Sequence, residues 1–225
     1  MKVLVFAHGP LVTPGWLGDA LAEVGADFEV VDLSIGDPLP SGRWDKVVVM
    51  GGHMGAYDAD SHPWLVAEKG FLKEQLAHDT PVLGVCLGAQ LLADAIGGRA
   101  HLGDGKEVGF LELERTAAGE ADPTLAALDG TVVAYHQDTF ELPEDAELLA
   151  FTSRYPHAFR HGSALGVQSH PELTPEMWAG WMEEHGTADL ERAGIDPAAF
   201  AQRLADEKER LRAQAVAFFR SWLEE

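Results

Sequence analysis

The sequence has one cysteine, Cys86, in 225 residues, so no disulfide can form within the chain. A lone thiol fits a reducing compartment, and the cytoplasm is the expected location. Long hydrophobic runs are also missing. Nothing approaches the roughly 20 apolar residues that cross a bilayer, and Val3 to Ala7, closed by His8-Gly9-Pro10, is too short for the core of a signal peptide. No membrane contact is expected. Basic residues are scarce, with 16 Lys and Arg against 37 Asp and Glu, and the resulting net charge of −21 repels a phosphate backbone. Nucleic acid is therefore not an expected partner. Acidic pairs such as Glu183-Glu184 and Glu224-Glu225 read as solvated surface. Scattered His and Asp show no compact metal-ligand spacing, so neither a metal nor a cofactor is expected. Gly103-Asp104-Gly105-Lys106 lacks the full phosphate-loop motif and is discounted. His8, at a strand end, and His62, near a helix start, read as capping or solvent residues.

What is present suits a globular chain: 46% hydrophobic and 24% charged residues can bury a sizeable core. One domain is expected over residues 1–225, with a core over 1–185 and C-terminal helices over 186–225. Short β-branched runs alternate with amphipathic stretches, the pattern of a parallel sheet covered by helices. Strands are predicted at Val3 to Ala7, Phe28 to Leu33, Asp45 to Met50 and Pro81 to Val85. Helices are predicted at Pro14 to Val24, Trp64 to Ala77 and Gly88 to Ile96. From Lys106 onward, strands at Val108 to Leu113, Thr131 to Ala134, Glu147 to Phe151 and Ala164 to Ser169 suggest an antiparallel or mixed extension of that sheet. Helix follows Glu172, where Phe200, Leu204, Leu211, Ala215, Phe218 and Trp222 form one apolar stripe. The class is α/β: three layers, with a mostly parallel twisted sheet, helices on both faces and a helical C-terminal extension.

Cys86 sits where a strand turns into a helix, within Gly84-Val85-Cys86-Leu87-Gly88. This is the spacing of the nucleophile elbow, with sulfur in place of oxygen. A sharp turn that projects a nucleophile needs small neighbours, and the two glycines supply them. The partial positive charge at a helix amino terminus favours thiolate over thiol. The N–H of the following residue, Leu87, would face a developing oxyanion.

A thiol nucleophile needs a base, and Val167-Gln168-Ser169-His170-Pro171-Glu172 offers one at another strand end. Residues two apart in extended chain face the same way, so Glu172 can reach His170. Pro171 keeps the residue before it extended. The carboxylate would then hold one ring nitrogen while the other faces sulfur.

At these residues the sequence resembles the class I, triad-type glutamine amidotransferases. Gly84-Val85-Cys86-Leu87-Gly88-Ala89-Gln90 matches the nucleophile motif, Gly166-Val167-Gln168-Ser169-His170-Pro171-Glu172 the His-Pro-Glu motif, and Met50-Gly51-Gly52 the end of the strand leading to the oxyanion loop. The similarity runs from Met1 to about Glu172 and is nearest to a stand-alone group like the glutaminase domain of GMP synthase, which also contains gamma-glutamyl peptidases. The resemblance implies a flavodoxin-like fold with Cys86 as nucleophile, His170 as general base and acid, and Glu172 as its orienter. It implies an oxyanion hole at the N–H groups of Gly52 and Leu87, and Gln90 at the substrate's amino-acid end. It also implies a glutamine pocket closed by Tyr135-His136-Gln137-Asp138. His53 follows Gly52, where the family commonly has proline. The implied substrate is glutamine or a gamma-glutamyl small molecule. Either the released ammonia passes to a separate synthetase subunit, or the enzyme hydrolyses or transfers gamma-glutamyl groups on its own. A different α/β family with a strand-to-helix cysteine fits less well because of His-Pro-Glu. The intact trio argues against a catalytically silent binding protein.

Overall fold

The computed structural model describes residues 1–225. In chain order it contains β1 (Lys2–Ala7), α1 (Trp16–Glu23), β2 (Asp27–Asp32), β3 (Lys46–Val49), α2 (Trp64–Ala77), β4 (Val82–Val85), α3 (Leu87–Ala95) and β5 (Arg99–Glu112). There follow β6 (Glu114–Arg115), α4 (Ala117–Ala121), α5 (Pro123–Ala126), β7 (Thr131–Glu141), β8 (Glu147–Phe151), β9 (Pro156–His161) and β10 (Ala164–Val167). The chain ends in α6 (Pro175–His185), α7 (Ala188–Arg192), α8 (Pro197–Asp206) and α9 (Lys208–Glu224).

Eight strands form one sheet in the order β2-β1-β3-β4-β10-β9-β8-β6. From β2 to β10 the neighbours are parallel, while β10-β9-β8-β6 are antiparallel. Successive side chains on a strand face opposite ways, so each β-branched run feeds two cores. Val3, Val5 and Val48 pack with α1, α5 and α9 in a cluster of 25 buried residues. Leu4, Phe6, Val47 and Val49 pack with α2 and α3 in a cluster of 22 on the other face. The expected layered α/β class is what the chain adopts.

Four features differ from the sequence reading. Val108 to Leu113 and Thr131 to Ala134 do not extend the main sheet; they belong to a separate two-stranded ribbon, β5 with β7, whose register shifts between Leu102 and Glu107. Gly103 to Lys106 is that irregularity, where Gly103 packs so tightly that a Cβ would lie 2.4 Å from the Tyr155 hydroxyl. β9 and the short helices α4 and α5 are absent from the sequence expectation. Finally, the apolar stripe is divided between two helices that meet at Glu207. Phe200, Leu204 and Leu211 join Trp178 and Trp181 in a third cluster under the ribbon, whereas Ala215, Phe218 and Trp222 belong to the core beneath α1. Asp196 caps α8 as its chemistry suggests, accepting from the N–H groups of Ala198 and Ala199.

Candidate active site

β1, β3, β4 and β10 are adjacent and parallel, so their carboxyl ends share one edge of the sheet. Open α/β sheets collect ligands at that edge. The residues that follow these strands are His8, Met50-Gly51-Gly52, Cys86 and Gln168-Ser169-His170. The fold therefore converts four distant segments into one site.

Cys86 occupies a strained turn, with φ 52° and ψ −107°, directly before α3. Only two non-glycine residues in the chain have positive φ, and Cys86 is one of them. Such backbone is retained when the surroundings over-determine it. Here the glycines do so: a Cβ at Gly84 would lie 2.4 Å from the Gly88 carbonyl oxygen, and one at Gly88 would lie 2.0 Å from the Val49 oxygen. The Cys86 N–H donates to the Val167 oxygen at 2.8 Å, tying the elbow to the end of β10.

His170 is held from both sides. Its backbone N–H donates to the Val133 oxygen at 2.8 Å, and its Nδ1 meets Glu172 Oε1 at 2.8 Å. With Nδ1 engaged by Glu172, Nε2 is the ring nitrogen left for the neighbouring Cys86 thiol. Burial disfavours the imidazolium, but the charges of Glu172 and then Cys86 outweigh it, holding the His170 pKa well above its ordinary 6.5. Trp181 of α6 presents its ring to His170 at 5.2 Å between centroids and donates its indole N–H to the Leu11 oxygen at 3.1 Å. Cys86, His170 and Glu172 are all buried. The carbonyl of Glu172 accepts from the Trp16 N–H at 3.0 Å, fixing the orienting residue by its backbone.

The Gly52 and Leu87 N–H groups, expected as oxyanion donors, have no acceptor within the protein. Gly51 packs between the trio's members: a Cβ there would sit 3.2 Å from His170 Cε1 and 3.7 Å from Cys86 Cβ. The loop can come this close only because it is glycine.

A cavity of about 450 Å³ opens over Cys86 and His170. Gln90, His136, Gln137 and Asp138 line it, together with Lys106, Glu184, His185 and Asp189 farther out. Gln90 donates to the Asp138 oxygen at 3.1 Å and to Gln168 Oε1 at 3.2 Å, so it is a strut between α3 and β7 whose own Oε1 remains free. His136 turns both ring nitrogens into the protein, toward the Asp138 oxygen at 2.9 Å and Glu107 at 3.3 Å, and shapes the wall without offering a polar atom. Gln137 reaches the Gly103 oxygen at 3.4 Å. Asp138 accepts from the Tyr57 hydroxyl at 3.1 Å, and burial raises its pKa above the ordinary value.

Glu107, His136 and His157 bring their candidate ligand atoms within 4.8 Å of one another. Both carboxyl oxygens of Glu107 already have protein partners: Oε1 accepts from Thr152 at 2.7 Å and Oε2 from His157 at 2.8 Å. Burial alone would raise its pKa, but the nearby His136 and the hydrogen bonds from His157 and Thr152 hold it far below the carboxylate range. The group ties β5, β7 and β9 into one wall of the pocket.

Comparison with known proteins places the chain in a family. The family model described as glutamine amidotransferase class-I matches residues 15–185. The chain belongs to that family. A glutamine amidotransferase-like protein of Acanthamoeba polyphaga mimivirus is 27% identical over 136 residues, and the match spans 60% of this chain and 60% of the relative. A glutamine-hydrolysing GMP synthase subunit from Haloquadratum walsbyi is 31% identical over 160 residues, covering 68% of this chain and 80% of that one. The solved structure of a glutamine amidotransferase from Thermotoga maritima matches 100% of this chain and 99% of its own with a TM-score of 0.89, at 28% identity.

In this family member, sequence reasoning missed three groups at the site. His8 is fully enclosed and paired with Glu68, so it is neither a cap nor a solvent residue. Trp181 and Lys106 also reach the cavity, the first from a segment that reads only as helix and the second from the discounted Gly103-Asp104-Gly105-Lys106 stretch. None of them lies in a local motif, and only an expectation of which strand ends meet could have drawn attention to His8.

Proposed function

We propose that the chain hydrolyses the γ-amide of glutamine through a thioester at Cys86. The thiolate adds to the γ-carbonyl carbon, and the Gly52 and Leu87 N–H groups receive the oxyanion. The C–N bond then breaks as His170 gives its proton to the nitrogen, releasing ammonia. Water attacks the thioester, His170 takes the proton, and glutamate leaves with the Cys86 thiolate restored. Each oxyanion donor contributes about 100-fold or more in rate in comparable sites.

The observation that carries this reading is the 2.8 Å bond that fixes the His170 ring by Glu172 while leaving its other nitrogen to Cys86. Purified protein incubated with glutamine is expected to release ammonia and glutamate in equal amounts, and Cys86→Ala to release neither. Equal release by the variant contradicts the mechanism. The ammonia acceptor is a separate synthetase subunit in one version of this proposal. The likeness to a glutamine-hydrolysing GMP synthase subunit supports that version.

A second reading rests on the cavity. It continues past Cys86 to Lys106, Glu184, His185 and Asp189, charged or titratable groups that suit a substituent on the γ-amide nitrogen. The substrate would then be a γ-glutamyl peptide, cleaved without a partner. Faster turnover of γ-glutamyl peptides than of glutamine by the isolated protein supports it, and glutaminase activity that rises only when a synthetase is added excludes it.

A further inference from the structure

His8 follows β1 at the edge of the sheet that carries Cys86, and its side chain is wholly buried. Nδ1 lies 2.8 Å from the Gly51 carbonyl oxygen. Nε2 lies 3.0 and 3.1 Å from the two carboxyl oxygens of Glu68, which is equally buried. A carbonyl oxygen can only accept, so Nδ1 carries a proton whichever side of the contact with Glu68 holds the other one. Burial opposes the cation, but the charge of Glu68 outweighs it and raises the His8 pKa above 6.5. The ring also stacks on Trp64, with centroids 5.4 Å apart and planes 13° from parallel. His8 is thus a fixed donor rather than a mobile one.

Its acceptor belongs to the peptide unit that supplies the Gly52 N–H. The bond is trans, so the Gly51 carbonyl and the Gly52 N–H point in opposite directions in one plane. Fixing the first fixes the second. Nothing else in the protein accepts from that N–H, and His53 leaves Gly52 without the restriction that a following proline would impose. A donor on the carbonyl also polarises the peptide, which makes its N–H a stronger donor.

We propose that His8, braced by Glu68, is the positioning residue of the oxyanion hole: its Nδ1–H grips the Gly51 carbonyl and thereby aims the Gly52 N–H at the developing oxyanion. This rests on the glutamine-hydrolysing reading of the site. The role is separable from nucleophile activation, because alkylation of Cys86 by iodoacetamide is a displacement that forms no oxyanion.

The test measures both reactions in His8→Ala and His8→Asn. Hydrolysis of a γ-glutamyl anilide by His8→Ala is expected to lose about 100-fold in kcat with little change in KM, the scale on which a misaimed donor acts. The alkylation rate stays at the wild-type value. Asparagine places an amide N–H near the position of Nδ1, so His8→Asn recovers about tenfold of the loss. If Glu68 left unpaired prevents folding, the double variant His8→Leu/Glu68→Leu removes the buried pair together and is held to the same two readouts. A His8→Ala enzyme with wild-type kcat, or one that loses alkylation in proportion to hydrolysis, overturns the inference. The first result, found beside a wild type that is active through Cys86, overturns this inference alone; a wild type inert toward γ-glutamyl substrates overturns the functional reading as well.

Discussion

Glu172 combines a hydrogen bond with a negative charge, and the two can be separated. Glu172→Gln keeps an acceptor for Nδ1 but removes the charge that offsets burial, so the His170 pKa falls from its raised value toward or below 6.5. NMR titration of the ring is expected to record that fall. Turnover near neutral pH is expected to drop about 100-fold, the usual scale for disabling a general acid-base group. An unmoved titration sinks this account of how His170 is tuned. The trio is legible in the sequence because each member lies in a short motif with its own geometry, Gly-x-Cys-x-Gly and His-Pro-Glu. His8 and Glu68 are not, because 60 residues separate them and neither has an unusual neighbour. A buried ion pair leaves no local periodicity for sequence reasoning to detect.

At the scale of elements, the elbow depends on how closely β3, β4 and α3 approach. Gly88 is the contact point, with space for a Cβ occupied by the Val49 carbonyl oxygen at 2.0 Å. Backbone cannot yield as a flexible side chain can. Gly88→Ala is therefore expected to cost about 1–3 kcal/mol in denaturant unfolding and to lower turnover along with it, since α3 must shift relative to Cys86. Unchanged stability and activity contradict that packing. The parallel strands and the first three helices are readable from alternating β-branched and amphipathic runs. The ribbon is harder, because Gly103 to Lys106 interrupts its pairing and conceals the half of β5 before the shift. β9 is concealed for a chemical reason. His157 is buried in what reads as a polar stretch, and its burial is tolerable only because Glu107, from another strand, accepts from it at 2.8 Å.

Across the whole molecule, the parallel topology sets the site. Four strands deliver their carboxyl ends to one edge, and α6 returns over that edge to place Trp181 against His170. Within the helical C-terminal extension, α9 contributes Phe218, Phe219 and Trp222 to the same core as β1 and β4. No helix is long and apolar enough to cross a membrane. If the buried thiol attacks a γ-glutamyl carbonyl, as proposed, turnover leaves a covalent trace on the intact protein. Acid quenching during turnover of a γ-glutamyl substrate, followed by peptide mass spectrometry, is expected to find one glutamyl group on the peptide bearing Cys86. Steady release of glutamate with no such adduct, and undiminished in Cys86→Ala, contradicts the account.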